Sequence, residues 1–436
     1  MVTIESGFIP LIIFFILCSA VVPCLAIEPA WTFSGENRKI EDIAVAPDGS
    51  AVVAAAGKVL LFSRDGTIFA NEPFGDSLAQ SQDGSSIVTA YSSTVASTVY
   101  LFKKKPGADG NQTLQKMWEA PQTDKVVSFA VSDNGDRIAC STGGKDVFVL
   151  DGDTGSRLGN DENFSSRIAI SGRGTTIAGI AISQGLKLYN TKGGITKEYD
   201  FPLPGQTNSL LVDTDGSIIV FDTGLNIIAL NVSNESDTWK RKTSSEVNML
   251  AMTHAGDIIV AGTTNGTVDR YDRKGNSSWS YYSNSGTGSG QAVKAIALTQ
   301  DASEIIAGST DGKIILLDDT GTPQWIYTTK NEPIRRVAIA ADGSLAVAAS
   351  DNTIFAFSTG GPRIISKNPV TSIKTPLQTL TSRVRSTISS ITRPVTPTIT
   401  MTEYSVIHKA TQSPLDETAG IMAILIMYCV IFRKGR

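Results

Sequence analysis

The sequence predicts an all-β chain. It is an eight-bladed β-propeller closed by its N-terminal strand, followed by a disordered stalk and one C-terminal membrane helix. Three observations lead there. One strand–turn–strand signature recurs along the chain. The recurrence has the length of a four-stranded blade. All five tryptophans fall at a similar place within it.

The clearest copy is DASEIIAGSTDGKIILLDDTGTPQWIYT, residues 301–328. EIIAGS (304–309) is a short apolar run, and Thr310-Asp311-Gly312 a turn. Glycine supplies positive φ cheaply there, and aspartate accepts hydrogen bonds from its own backbone. KIILLD (313–318) is the next strand, and Asp319-Thr320-Gly321 turns again. QWIY (324–327) carries large aromatics at alternating positions. Before the unit, AVKAIAL (292–298) alternates in the period-two pattern of a half-buried strand. Four strands and their short turns use up the residues, leaving no room for a helix.

The signature recurs as IAVAPDGSAVVAA (43–55), LAQSQDGSSIVTA (78–90), FAVSDNGDRIACS (129–141) and IAISGRGTTIAGI (168–180). It continues as LLVDTDGSIIVFD (210–222), LAMTHAGDIIVAG (250–262), IALTQDASEIIAG (296–308) and VAIAADGSLAVAA (337–349). These are eight copies spaced by roughly 42 residues, a period that belongs to propeller blades. The second-to-third interval is longer, which predicts a loop around 103–110, with Lys103-Lys104-Lys105 solvated within it.

Trp31, Trp118, Trp239, Trp279 and Trp325 all sit on the strand that precedes the next copy. Accidental repeats would scatter them. A large apolar plate there is expected to fill the wedge between neighbouring blades, removing on the order of 150–250 Å² each from water. A platform for a cofactor or sugar is the other use of such a ring. The chain enters with AWTFS (30–34), which looks like a fourth strand, and its eighth copy ends on NTIFAF (352–357), a third. The N-terminal strand therefore completes the last blade and closes the ring. PRIIS (362–366) competes for that place.

The pattern of strand, Asp-Gly, strand, Asp-x-x-Gly, and strand with Trp-x-Tyr resembles the blades of PQQ-like (quinoprotein-like) β-propellers over about residues 27–361. It is also similar to WD-repeat propellers, without their Gly-His and Trp-Asp dipeptides. The resemblance implies a fold and says little of activity, because this architecture hosts many functions. Quinoprotein dehydrogenases hold their quinone with calcium and, in many members, an adjacent cysteine pair. This chain has no Cys-Cys, so the resemblance carries neither cofactor nor redox activity to it, and no cofactor is expected.

The 436 residues are 41% hydrophobic and 18% charged, with 39 glycines, enough for a cored domain with many tight turns. A net charge of −4 provides no basic footprint for nucleic acid. Cys18, Cys24 and Cys429 lie in the terminal apolar segments and only Cys140 between them. No disulfide framework or zinc pattern follows, and Cys140 reads as a small buried hydrophobe.

Residues 1–26 read as a secretory signal, with the apolar run 8–17 and a cut after Ala26. Glu5 and the lack of Lys or Arg before that run leave an uncleaved anchor as the alternative. Export predicts glycosylation acceptors at Asn111, Asn163, Asn231, Asn234, Asn265 and Asn276. The propeller spans 27–361. Residues 362–417 are a Ser/Thr/Pro-rich stalk with the composition of an O-glycosylated spacer. Residues 418–432 are an apolar helix, and 433–436 a basic cytoplasmic tail. The fourteen residues from Ala419 reach only ~21 Å against a hydrocarbon core of ~30 Å. Local bilayer thinning or snorkelling arginine closes that gap; an embedded, non-spanning tail is the alternative. Together these features resemble archaeal or bacterial surface proteins.

No catalytic constellation is readable. His254, in a turn, and His408, in the stalk, have no triad partners in the sequence. Asp48, Asp83, Asp215, Asp311 and Asp342, with Asp151-Gly-Asp153 and Asp213-Thr-Asp215, are the turn residues from which calcium takes oxygen ligands. None has the full Asp-x-Asp-x-Asp-Gly spacing. NSGTGSG (284–290) lacks the Gly-Lys-Ser/Thr ending of a phosphate loop. The expected function is a non-catalytic cell-surface module that binds a protein or glycan through its top face and channel. A calcium-dependent hydrolase or lyase of surface polysaccharide is one alternative, needing carboxylates that converge at the channel mouth. A structural component of the cell envelope is the other.

Overall fold

The computed structural model describes residues 25–359, apart from 36–37, 74, 94–95, 107–111, 144–145, 162–166, 182–184, 191–194, 200–206 and 284–290. The described residues form eight sheets, each of four antiparallel strands, one of them with a short parallel fifth strand. The strands follow one another outward from the centre, so each sheet is one copy of the repeat. Blade 1 is Asp42–Val45, Ala51–Ala55, Lys58–Ser63 and Ile68–Pro73. Blade 2 is Ser77–Gln80, Ser86–Ser92, Ser97–Pro106 and Gln112–Gln122. Blade 3 is Val126–Val131, Arg137–Thr142, Val147–Asp151 and Arg157–Asp161. Blade 4 is Arg167–Ile170, Ile177–Ala181, Gly185–Tyr189 and Ile195–Tyr199.

Blade 5 is Leu210–Val212, Ile218–Asp222, Asn226–Asn231 and Trp239–Lys242. Blade 6 is Val247–Met252, Ile258–Thr263, Thr267–Asp272 and Ser277–Tyr282. Blade 7 is Val293–Leu298, Glu304–Ser309, Lys313–Asp318 and Pro323–Thr328. Blade 8 takes Arg336–Ile339, Leu345–Ala349 and Thr353–Ser358 from the end of the repeat region, and Trp31–Ser34 from its start.

That last strand closes the ring. Trp31 pairs with Ala356 and Ser34 with Thr353 in an antiparallel ladder. The competing segment 362–366 lies outside the described residues. The two residues before the expected cut, Leu25 and Ala26, lie parallel to the outer edge of blade 7, opposite Trp325 and Ile326.

There is no single central core. Eight apolar clusters fill the eight wedges between blades. The wedge between blades 8 and 1 packs Leu345, Val347 and Ile354 against Val52, Leu60 and Phe62. The second and third strands are buried on both faces, which explains why they read as continuous apolar runs rather than alternating ones. Cys140 is fully buried between blades 2 and 3, and burial pushes its thiol far above the usual range.

One expectation is corrected. Lys103-Lys104-Lys105 is not a solvated loop. It belongs to the strand Ser97–Pro106, paired along its length with Gln112–Gln122. The longer interval is taken up by two extended strands, because Lys103, Lys104 and Lys105 meet Gln115, Leu114 and Thr113 in register. Lys104 is half-buried near Asp48 and Asp83, and burial lowers its ammonium from the ordinary lysine value.

Among the described residues the only helical segment is the short 3-10 turn Glu235–Asp237, and no helix is long and apolar enough to cross a membrane. Residues 1–24, the stalk, the helix at 418–432 and the tail lie outside the described residues.

Candidate functional site: the central channel

The eight innermost strands surround the axis. Their last residue but one is alanine in seven blades, among them Ala44, Ala79, Ala297 and Ala338, and Leu211 in blade 5. Small side chains leave space: a cavity of about 320 Å³ lies between the inner strands of blades 1, 2, 6, 7 and 8. Its walls are aliphatic and its turn end is polar, with Gln82, Gln300, Thr253, Thr299 and His254. No carboxylate is among its lining residues.

At that turn end the first turns of successive blades are tied by backbone hydrogen bonds. Asp83 N–H donates to Asp133 O, Asp133 N–H to Gly172 O, and Arg173 N–H to Thr214 O, each at 2.9–3.0 Å. Thr214 N–H donates to His254 O at 2.8 Å. His254 then reaches back past blades 5 and 4: its Nδ1 lies 3.5 Å from Asp133 Oδ1 in blade 3. The turn histidine therefore sits at the channel mouth. His408 lies outside the described residues.

At the opposite end of the channel, polar side chains join blades 4 to 7 in succession and blade 8 to blade 1. Arg167 Nε donates to Thr207 O at 3.2 Å. Asn208 Nδ2 donates to Val247 O at 2.7 Å and Asn248 Nδ2 to Val293 O at 3.1 Å. Lys294 Nζ donates to Asn248 Oδ1 at 3.0 Å. Arg336 Nε lies 3.4 Å from Asp42 Oδ1 across the seam where blade 8 meets blade 1. Burial outweighs that guanidinium and pushes the Asp42 carboxyl up to about 6.

The turn aspartates are engaged by their own turns. Asp48, Asp83, Asp215 and Asp342 each accept the backbone N–H two residues on, at 2.9–3.0 Å. Asp311 accepts Ser309 Oγ, and Asp151 accepts the N–H of Asp153 and Thr154. Asp213 is buried and holds Ile218 N–H and Ser217 Oγ. For Asp83, burial alone would raise the carboxyl, but the hydrogen bonds from Ser81 and Ser85 take it below its ordinary value. Among the described residues no three His, Cys, Asp or Glu side chains are grouped to hold a metal.

Each tryptophan lies on an outermost strand and contacts the following blade. Trp31 Nε1 donates to Arg64 O at 2.8 Å, Trp118 to Gly152 O at 2.9 Å, Trp239 to Arg273 O at 2.9 Å and Trp279 to Asp319 O at 2.8 Å. These acceptors belong to the neighbour's outer turn. The glycine of the same turn lies beneath the indole: a Cβ on Gly66, Gly155, Gly275 or Gly321 would come within 2.6–2.7 Å of the ring. Trp325 packs against Phe357 of blade 8, centroids 4.9 Å apart. Trp239 and Trp325 are buried within their wedges, and Trp31, Trp118 and Trp279 are half-buried against theirs. Blades 1, 3 and 4 carry Ala70, Gly159 and Lys197 at the same register position. The sequence holds a signal for this pairing: each of these four tryptophans is followed, in the next repeat, by a turn ending in glycine.

Of the glycosylation candidates, Asn234 and Asn276 are exposed and Asn231 and Asn265 half-buried. Asn231 and Asn234 precede the 3-10 turn: Asn231 Oδ1 accepts the N–H of Ser233 and Asn234, and Asn234 Nδ2 donates to Asp237. Asn276 Nδ2 donates to Asp272 Oδ2, and Asn265 Nδ2 to Ser244 Oγ. Asn111 and Asn163 lie outside the described residues.

Residues 204–398 match a known repeat family. Its model, of PQQ type, is described as outer membrane protein assembly factor BamB. No curated protein sequence matched the chain. Among solved structures, the fold is similar to Sqt1 from Chaetomium thermophilum, with a TM-score of 0.63 and 14% identity over 77% of this chain and 100% of that one. It is equally similar to Sqt1 bound to the N-terminus of the ribosomal protein L10, with a TM-score of 0.64 and 14% identity over 76% and 100%. The C-terminal WD40 domain of Sif2 gives 0.61 and 14% over 78% and 99%. At that identity the likeness is one of fold.

Proposed function

We propose that this chain is a non-catalytic propeller displayed at the cell surface. It captures a protein or glycan partner at the central channel and is held to the membrane by residues 418–432. The observation that carries the reading is the cavity at the axis. It is a concave space with small aliphatic walls and a few convergent amide and hydroxyl groups, the composition of a recognition site. The engagement of the turn aspartates by their own backbones weighs the same way, against a calcium-dependent hydrolase or lyase. Sqt1, of similar fold, is described bound to the N-terminus of a ribosomal protein, which makes a chain terminus or extended segment a reasonable partner here.

The test is a filled channel. Ala297→Phe and Ala338→Phe together should abolish partner capture by the full chain while its thermal midpoint stays near that of wild type. Equal capture by the filled variant would remove the channel from the reading. A purely structural envelope role predicts no saturable partner for either protein. Protease treatment of intact cells addresses display: a surface propeller is cut or shed, and a protected one contradicts the location.

A further inference from the structure

The repeat allows its junctions to be compared at one place, which is apolar or aromatic in several blades but holds Glu72 and Tyr100 by register where blade 1 meets blade 2, and Asp161 and Lys187 where blade 3 meets blade 4. Two residues after the tryptophan position, the outer strand of a blade packs against a third-strand residue of the next blade. At the junction of blades 7 and 8 these are Tyr327 and Phe355, with centroids 5.8 Å apart. Tyr281 and Ile315 share the wedge of blades 6 and 7, Tyr199 and Ile228 that of blades 4 and 5, and Ala120 and Phe148 that of blades 2 and 3.

At the junction of blades 5 and 6 the same two places hold Arg241 and Asp269. They do not pair: no cation lies within ion-pair distance of Asp269 among the described residues. Instead a groove of about 480 Å³ separates the walls, lined by both residues and by Lys242, Ser244, Thr267 and Ser280. That volume is within the range of small-ligand sites.

Asp269 is only 6% exposed. Its carboxylate accepts Ser280 Oγ and, at 3.4 Å, Thr267 Oγ1, whose single proton Asn265 Oδ1 also accepts at 3.3 Å. A buried carboxylate with so little donation is costly unless something completes it, and burial already raises its carboxyl. Arg241 is held by Nε to Gly275 O at 2.7 Å and by Nη1 to Lys240 O at 3.2 Å. Its Nη2 has no protein partner among the described residues. Lys242 is exposed beside it. One wall therefore offers cationic donors, the other a carboxylate acceptor, and hydroxyls line the space between.

We propose that this groove binds an acidic sugar residue of the hexuronate class, its carboxylate toward Arg241 and Lys242 and its ring hydroxyls donating to Asp269. Guanidinium recognises carboxylate with directed, charge-assisted bonds, and a buried carboxylate takes hydroxyl donors without a second ion. A neutral sugar leaves the cationic wall unused. An ammonium compound would satisfy Asp269 but meet two cations at the rim. The site lies on the flank of the ring, separate from the channel, so the two proposals fail independently.

The experiment titrates digalacturonate, maltose and glycine into the full chain, with calorimetric or saturation-transfer NMR detection. Asp269→Leu and Arg241→Tyr install residue types that other junctions already pack, so the fold is expected to hold and the thermal midpoint to stay or rise. Asp269→Asn keeps the shape should the leucine variant misfold. Digalacturonate should bind about tenfold or more tighter than maltose, and each variant should lose about tenfold or more, as expected for a charge-assisted hydrogen bond. Undiminished binding in the variants, maltose or glycine binding as tightly as digalacturonate, or no uronate binding up to its solubility limit would each overturn the assignment.

Discussion

The tryptophan–glycine contact shows how one atom decides a position. Gly275 has φ +76° and lies beneath the Trp239 indole, whereas Gly224 has φ +74° with nothing within 4 Å of where a Cβ would stand. Gly224→Ala should cost about 1–2 kcal/mol for the left-handed backbone alone. Gly275→Ala should cost about 1–3 kcal/mol more from overpacking against the ring. Urea denaturation of the two variants isolates the indole; equal costs would mean that the ring moves aside.

Asp42 offers a second test. Its carboxyl is raised to about 6, so the folded chain holds this proton more tightly than the unfolded chain, whose aspartate titrates near its ordinary value. Stability from this group is therefore highest below about pH 4, falls as pH rises to about 6, and stays at the lower level above. A carboxyl-carbon NMR titration should give a midpoint near 6, and Asp42→Asn should remove that slope. A midpoint near the ordinary aspartate value would contradict it.

Among the strands, Trp31–Ser34 bears the most on the architecture. It contributes the outer edge of blade 8, while Trp31 stacks on Phe62 of blade 1 with centroids 5.4 Å apart and Phe33 meets the same ring edge-on at 5.0 Å. Removing residues 27–35 takes both aromatics out of the seam and uncovers the edge of Thr353–Ser358, a template for unwanted pairing. The truncated chain should lose stability by at least the roughly 3–5 kcal/mol of one buried large aromatic. It should also self-associate in size-exclusion chromatography and be cut first within blade 8 by protease. A truncated chain as stable and monomeric as wild type would show that the ring closes by another strand. The hairpin of blade 2 teaches a different point. Its lysines suggest a loop when read by charge, but the alternation of long stems and polar ends along Ser97–Pro106 also suits the edge of a sheet, and pairing decides between them.

Because every apolar cluster is shared by two blades, no blade can leave without opening two wedges. The ring should therefore unfold as one unit. Cys140, fully buried in the wedge of blades 2 and 3 with its thiol pushed far above the usual range, is a reporter of that event. In a chain with Cys18, Cys24 and Cys429 changed to Ser, a thiol reagent should label Cys140 only across the denaturant transition that removes the β-sheet signal. Labelling well before that transition would mean that blades 2 and 3 open separately.

The number of blades, their four-strand make-up and the N-terminal closing strand were readable from the chain alone. They depend on local patterns: Asp-Gly turns, period-two alternation, and apolar runs where both faces are buried. Repetition multiplied each weak local signal eight times. What lies across a junction was not readable, because a blade's neighbour is a repeat away in the chain while its contact is set by twist and register. The meeting of His254 with Asp133, the cavity at the axis, and the unpaired Arg241 and Asp269 walls all belong to that class. Sequence periodicity specifies each sheet through its own hydrogen bonds. Only the closed ring, which forces each sheet against two others, determines what their side chains touch.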